Sequence, residues 1–324
     1  MRLIGLVSVL ALLWSAQATA DVRDRDDVKA YIAELSSEHG FSATELKRMF
    51  AAVEIRDDII EKISRPAERV WTWGRYKSHL VDPARVAAGI EFGREHKATL
   101  ERAHAEYGVA PEVVLAILGI ETRFGRITGS YGVVEALTTL GFAYPPRAKF
   151  FKKELTEFLI LAREEGKDPL SLQGSYAGAM GYGQFIPSSY RHYSVDFDGD
   201  GLRDIWSNPV DAIGSIANYF ARHRWSGELP PAVPVTVKAD HSLSFDTGLN
   251  LDQTVAELQA NGMVLPADSQ LAGDRKARIY QVEGADGVEH WLALHDFYVI
   301  TRYNRSHLYA LAVHHLAQDI KAQL

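Results

Sequence analysis

Glu121 is the residue whose neighbours best suit it to move a proton. The segment 111–123 repeats apolar side chains at helical spacing, with Val114, Ile117 and Leu118 on one stripe. Glu121 falls four and three positions beyond the last two, at the C-terminal end of that face. Burial there disfavours the charged carboxylate, and the negative end of the helix dipole acts in the same direction. A carboxylic acid held protonated near neutral pH can protonate a leaving oxygen. On spacing alone the commoner role of such a Glu is to cap the helix, to pair with Arg123 or Arg126, or to reach solvent.

A second group of residues has the pattern of a hard-cation site. Asp196, Asp198 and Asp200 alternate, Gly201 follows at the sharp turn, and Leu202 offers a carbonyl, as in the first half of an EF-hand loop. Ser207 stands where the closing Glu of such a loop belongs, so Asp211 is expected to complete the set, with Asp204 reaching the ion through water. Three alternating acids repel one another without a cation, whereas an Asx-rich turn is the plain alternative. The expected role of calcium is structural, away from bond cleavage. A third group is the block 174–190. Gly174, Gly178, Gly181 and Gly183 permit close backbone approach and positive φ. Ser175 and Gln184 offer neutral hydrogen bonds, and Tyr176 and Tyr182 offer apolar faces; a structural turn between helices is the other reading. His307, His314 and His315 lack zinc spacing and read as surface or packing residues.

These groups need a scaffold, and most of it reads as helical. Ser42 and Glu45 have capping-box spacing before Leu46, Met49, Phe50 and Val53. Asp82-Pro83 opens a helix expected to run to Tyr107-Gly108, and Ala110-Pro111 opens the helix of Glu121. A further amphipathic helix is expected over 146–163. After Leu229-Pro230-Pro231 the pattern changes: Val233, Val235 and Val237 alternate, and 277–283 and 288–294 flank Gly284-Ala285-Asp286-Gly287 as a hairpin. With a short helix over 251–259, residues 229–300 read as a small α+β insertion, and helix resumes over 305–324. The N-terminus carries Met1-Arg2, an apolar run over 3–14 and Ala18-Thr19-Ala20, the pattern of a signal peptide cleaved after Ala20. No later segment is apolar for long enough to span a membrane. The chain has no cysteine, which excludes disulfides, thiolate metal sites, a Cys nucleophile and an acylated lipoprotein Cys. A net charge of −7 without a basic cluster argues against nucleic acid as a partner.

The blocks Gly119-Ile120-Glu121-Thr122-Arg123-Phe124-Gly125 and 174–190, the acidic loop, 211–220 and Ile300-Thr301-Arg302-Tyr303-Asn304 together resemble the lytic murein transglycosylase B family. The resemblance runs from about residue 65 to the C-terminus. It implies a mainly α fold: a lysozyme-like helical core over 106–228, an N-terminal helical domain over 21–105, the insertion, and a C-terminal helix over 301–324 returning to the core. It also implies a single acid/base, Glu121. That residue would protonate the β-1,4 oxygen between N-acetylmuramic acid and N-acetylglucosamine, then deprotonate the muramoyl C6 hydroxyl as it closes onto C1. Ordinary glycosidases use two carboxylates, and the block 174–190 contains no second one. By position in the motif, Ser175, Gln184, Tyr219, Tyr303, Asn304 and Tyr309 match saccharide contacts, and Tyr76 joins them. The resemblance implies no catalytic cofactor, a structural calcium, glycan strands of peptidoglycan as substrate, other cell-wall enzymes as further partners, and a periplasmic location. A hydrolytic muramidase, a non-catalytic glycan-binding protein on the same fold and a calcium-sensing module are the competing readings.

Overall fold

Local signals in the sequence set several of the helix ends. The computed structural model describes residues 22–65 and 71–324, so the expected signal peptide over 1–20 lies outside the described residues. The chain divides into two compact units at Glu54 and Ile55. In the first, α1 (Asp26–His39) stops at Gly40 in the left-handed region, and α2 (Ala43–Phe50) is capped by Ser42, whose hydroxyl accepts from the Glu45 N–H. Tyr31 and Phe50 pack edge to face between them, 6.3 Å apart.

The second unit runs Ile55–Leu324, so of the helical domain expected over 21–105 the helices from residue 55 onward share a unit with the core. It begins with α3 (Asp57–Ser64) and α4 (Trp73–Leu80), the latter capped by Thr72. Asp82 caps α5 (Pro83–Glu95) at Arg85 N, with Pro83 in the first turn. The single helix expected over 83–107 is broken at His96, and α6 (Lys97–Tyr107) follows. The break has a packing cause: α5 packs chiefly on the Glu121 helix, whereas α6 packs chiefly on a different helix, α11 (Pro209–Arg222). One straight rod cannot follow both.

The helix of Glu121, α7 (Pro111–Thr122), is buried on all sides, with every residue from Val113 to Gly119 buried. A helix apolar all round is a core helix and not a striped surface one, which corrects the single-stripe expectation. Around it stand α5, α6, α11 and α14 (His307–Lys321). A short pair, β1 (Tyr131–Gly132) with β2 (Gln173–Gly174), ties the start of α8 (Val133–Ala143) to the glycine block. A 3-10 turn over Pro145–Arg147 precedes α9 (Ala148–Glu164), and α10 (Pro187–Tyr193) packs on α9.

The insertion holds an antiparallel five-stranded sheet of order β4-β6-β7-β3-β5, with β3 (Ala232–Val237), β4 (Gln253–Thr254), β5 (Met263–Val264), β6 (Lys276–Glu283) and β7 (Val288–Ala293). Its core is separate, built from Val235, Val255, Leu258, Met263, Ile279 and Leu292. The short helix expected over 251–259 is β4 followed by α12 (Val255–Ala260), whose N-terminus carries a full capping box of Thr254 and Glu257. Helix resumes earlier than expected, as α13 (His295–Tyr303). Asp296 in its first turn is buried and accepts the N–H groups of Ser226 and Gly227, each at 2.8 Å. That bond set clamps the helix start to the chain entering the insertion. No single helix among the described residues is long and apolar enough to cross a membrane.

Candidate active site

Glu121 sits on the last turn of α7, half-buried, where the chain leaves the core. Three consecutive residues then take positive φ: Arg123 at 50°, Phe124 at 60° and Gly125 at 81°. Left-handed conformations at two non-glycine residues cost energy, and such strain collects where function requires it. It is held here by Thr122, whose Oγ1 donates to Tyr182 O at 2.8 Å and accepts the Gly125 N–H at 2.9 Å. Gly125 must lack a side chain, because a Cβ would stand 2.1 Å from the Tyr182 ring. The helix end and the glycine block are thus one assembly.

Tyrosines surround the carboxylate. The Tyr309 hydroxyl, from α14, donates to Glu121 Oε1 at 2.5 Å. Tyr303, at the end of α13, donates to Gly183 O at 2.5 Å and feels the Glu121 charge. Burial, followed by that charge, pushes both phenols well above the ordinary tyrosine value, so both remain donors at neutral pH. Tyr76, buried on α4, lies close enough to act on the Tyr309 phenol electrostatically. Tyr219 is drawn into the aromatic packing beneath. Its ring lies edge-on to Tyr303 at 4.8 Å and its hydroxyl donates to Arg302 O at 2.6 Å. Asn304 is half-buried and caps α13, between Tyr303 and the N-cap Ser306 of α14.

The polar groups of the glycine block serve the loop as well. Ser175 Oγ accepts from Ala177 N at 3.2 Å and Ala179 N at 3.1 Å. Gln184, itself at φ 51°, donates its amide to Thr128 O at 3.0 Å and Gly181 O at 2.9 Å. These bonds commit both Gln184 amide hydrogens, leaving the Ser175 hydroxyl hydrogen and the Gln184 carbonyl as the groups able to meet a ligand. A cavity of about 320 Å³ lies around Val113, Trp225 and His314, at the opposite end of α7 from Glu121.

In the acidic loop, carboxylate oxygens of Asp196, Asp198 and Asp211 lie within 4.8 Å of one another. Asp211 is fully buried on the first turn of α11 and accepts Phe197 N at 2.7 Å and Asp204 N at 2.8 Å. Burial raises its pKa, and the Asp198 charge adds to this. A buried acid beside a second carboxylate, with no ion pair to a described residue, is a donor set that a hard cation would satisfy. Asp200 turns instead to the Leu202 N–H at 2.8 Å. Asp204 turns to Trp206 N at 2.9 Å and Ser207 N at 3.1 Å. The expected five-residue set is therefore three converging carboxylates, with Asp200 and the Leu202 carbonyl on the same turn.

The family model described as "Transglycosylase SLT domain" matches residues 23–318. The chain belongs to the transglycosylase SLT domain family. Among curated relatives of this family, membrane-bound lytic murein transglycosylase B of Escherichia coli (strain K12) is 37% identical over 94% of this chain and 85% of its own. Among solved structures, the catenated lytic transglycosylase SltB1 from Pseudomonas aeruginosa superposes with a TM-score of 0.88 at 46% identity, over 93% of this chain and 99% of that one. Lytic transglycosylase Slt35 of E. coli in complex with calcium matches at a TM-score of 0.83 and 37% identity, covering 92% and 94%. SltB3 from P. aeruginosa, in complex with NAG-anhNAM-pentapeptide, matches at 0.75 and 31%, covering 91% and 79%.

In this transglycosylase-domain chain, reasoning from sequence missed Thr122 and Glu154. Thr122 is the hinge between helix and loop, and a small polar residue at a buried helical position was its signal. Glu154 is buried on α9 and accepts Ser188 N at 2.9 Å and Ser188 Oγ at 2.8 Å, fixing the start of α10; burial raises its pKa. Its signal was a carboxylate within the apolar face of an amphipathic helix.

Proposed function

We propose that this protein is a lytic murein transglycosylase that uses Glu121 alone as acid and then base. The observation that carries the reading is the short hydrogen bond from Tyr309 to Glu121 at the mouth of the buried helix α7. It holds the Glu121 carboxylate in one orientation beside the glycine block. Glu121 first gives its proton to the β-1,4 oxygen between N-acetylmuramic acid and N-acetylglucosamine, and the bond to C1 breaks. As a carboxylate it then takes the proton of the muramoyl C6 hydroxyl, whose oxygen bonds to C1. A 1,6-anhydromuramoyl end results, no water is consumed, and the enzyme returns to its starting state. The complex of the relative SltB3 with an anhydro-sugar peptide supports this product. Ser175, Gln184, Tyr76, Tyr219, Tyr303, Asn304 and Tyr309 are assigned to the glycan, some by contact and Tyr219 through the packing that seats Tyr303.

Asp196, Asp198 and Asp211 would hold a structural calcium ion, with Asp200 and the Leu202 carbonyl completing its shell; the calcium complex of the relative Slt35 supports this. The ion takes no part in bond cleavage. The leader-like residues 1–20 and the murein substrate together support a periplasmic location.

Digestion of purified sacculi tests the assignment. Glu121→Gln should release no soluble muropeptides while retaining the melting temperature and glycan binding of the wild type. Mass spectrometry of the wild-type products should show anhydro ends, lighter by one water than hydrolysed ends. Reducing ends in their place would mean a muramidase, and solubilisation by Glu121→Gln would remove Glu121 from the mechanism.

A further inference from the structure

Strand β7 of the insertion reaches α4, which carries Tyr76, and α14, which carries the Glu121 partner Tyr309. One oxygen, Glu289 Oε2, accepts the indole N–H of Trp73 at 3.1 Å and that of Trp291 at 2.9 Å. Trp73 is the first residue of α4, is 1% exposed, and precedes Tyr76 by three positions on that helix. His315 of α14 closes the cluster, its ring 5.4 Å from Trp73 and 4.8 Å from Trp291. The same helix carries Tyr309. The approach of hairpin to helix leaves no slack, since a Cβ on Gly74 would stand 2.8 Å from Ala285 N and 2.9 Å from Gly284 C.

We propose that Glu289 is a positioning residue for glycan binding, the shared acceptor through which the insertion fixes α4, and with it Tyr76, against α14. The inference rests on reading Glu121 as the transglycosylase centre and Tyr76 as a saccharide contact. A carboxylate oxygen has lone pairs for two donors, and two buried indole N–H groups deprived of it would be left unpaired. An eight-residue helix moves as a body, so a shift at its first residue is a shift at Tyr76. Displacements of an ångström at a binding group are enough to weaken productive binding.

Steady-state kinetics on soluble glycan strands test this with Glu289→Met, Glu289→Gln, Gly74→Ala and Glu121→Gln. Glu289→Met should raise KM about five- to tenfold with kcat within about twofold, part of the cost of the two lost hydrogen bonds falling on binding. Glu289→Gln keeps an acceptor oxygen and should restore both constants to near wild type. Gly74→Ala pushes helix and hairpin apart without touching Glu289 and should raise KM likewise, which keeps the test readable if Glu289→Met does not fold. A folded Glu289→Met or Gly74→Ala enzyme with lowered melting temperature but unchanged KM overturns the proposal, as does a Glu289→Gln enzyme as impaired as Glu289→Met. Failure of the underlying reading looks different: Glu121→Gln would then keep its activity.

Discussion

Tyr309 spends its hydroxyl on Glu121, and that bond fixes where the acid points. A hydrogen bond to a charged group contributes about 1.5–3 kcal/mol. Replacing Tyr309 with Phe should therefore lower kcat/KM on glycan strands about ten- to a hundredfold, at about 1.4 kcal/mol per decade. The melting temperature should change by no more than a few degrees, because the ring and its packing remain. Full activity in Tyr309→Phe would show that the carboxylate is oriented by something else. Helical spacing offered Glu121 as a candidate, and motif position singled out both it and Tyr309. Neither gave a sign that the two meet, since 188 residues separate them.

The acidic loop and α11 form one element in energetic terms. The loop reads clearly in sequence because Asp, Gly and their spacing are local, whereas the approach of Asp211 to it depends on how its helix packs against helices distant in sequence. Asp211 joins Asp196 and Asp198 because α11 packs on α6 and α7. If the site holds calcium, a hundredfold excess over Kd stabilises the fold by about 2.7 kcal/mol. Calorimetry should then show the melting temperature falling by about 5–10 °C on chelation. In Asp211→Asn that response to calcium should vanish, while Glu121 chemistry persists well below the transition. A calcium response retained in Asp211→Asn would place the ion elsewhere.

Across the whole molecule, the junction of α14 with the insertion sets a pH limit on stability. Burial pushes His314 down to about 4 and His315 to about 3, the latter helped by Lys77 and then His314. Both Nε2 atoms are buried without a hydrogen-bond partner among the described residues, so a proton added there gains no hydrogen bond to offset the lost solvation. Between these values and about 6.5, the ordinary histidine pKa, the unfolded chain binds more protons than the folded one. Stability conferred by the neutral rings is complete above about pH 6.5 and is lost as pH falls through that window, by up to about 1.4 kcal/mol per pH unit for each proton. Urea denaturation at pH 7, 6 and 5 should show this slope, and His315→Phe should flatten it. An unchanged slope in His315→Phe would assign the acid sensitivity to other groups.

What the sequence determined by itself is local or periodic. Caps at Ser42 and Asp82, the hairpin after Glu283, the calcium-type loop and the acid on an apolar helix all follow from residues within a turn or two of one another. What the tertiary structure decided is non-local. It buried α7 on every face, broke the helix at His96, and began α13 at His295. It also brought Tyr309 and Tyr303 to one carboxylate, with Tyr76 beside Tyr309, and set Glu289 against Trp73. Side-chain spacing specifies which face of an element is apolar. Which elements meet, and with what polar groups between them, depends on how all those faces are buried at once.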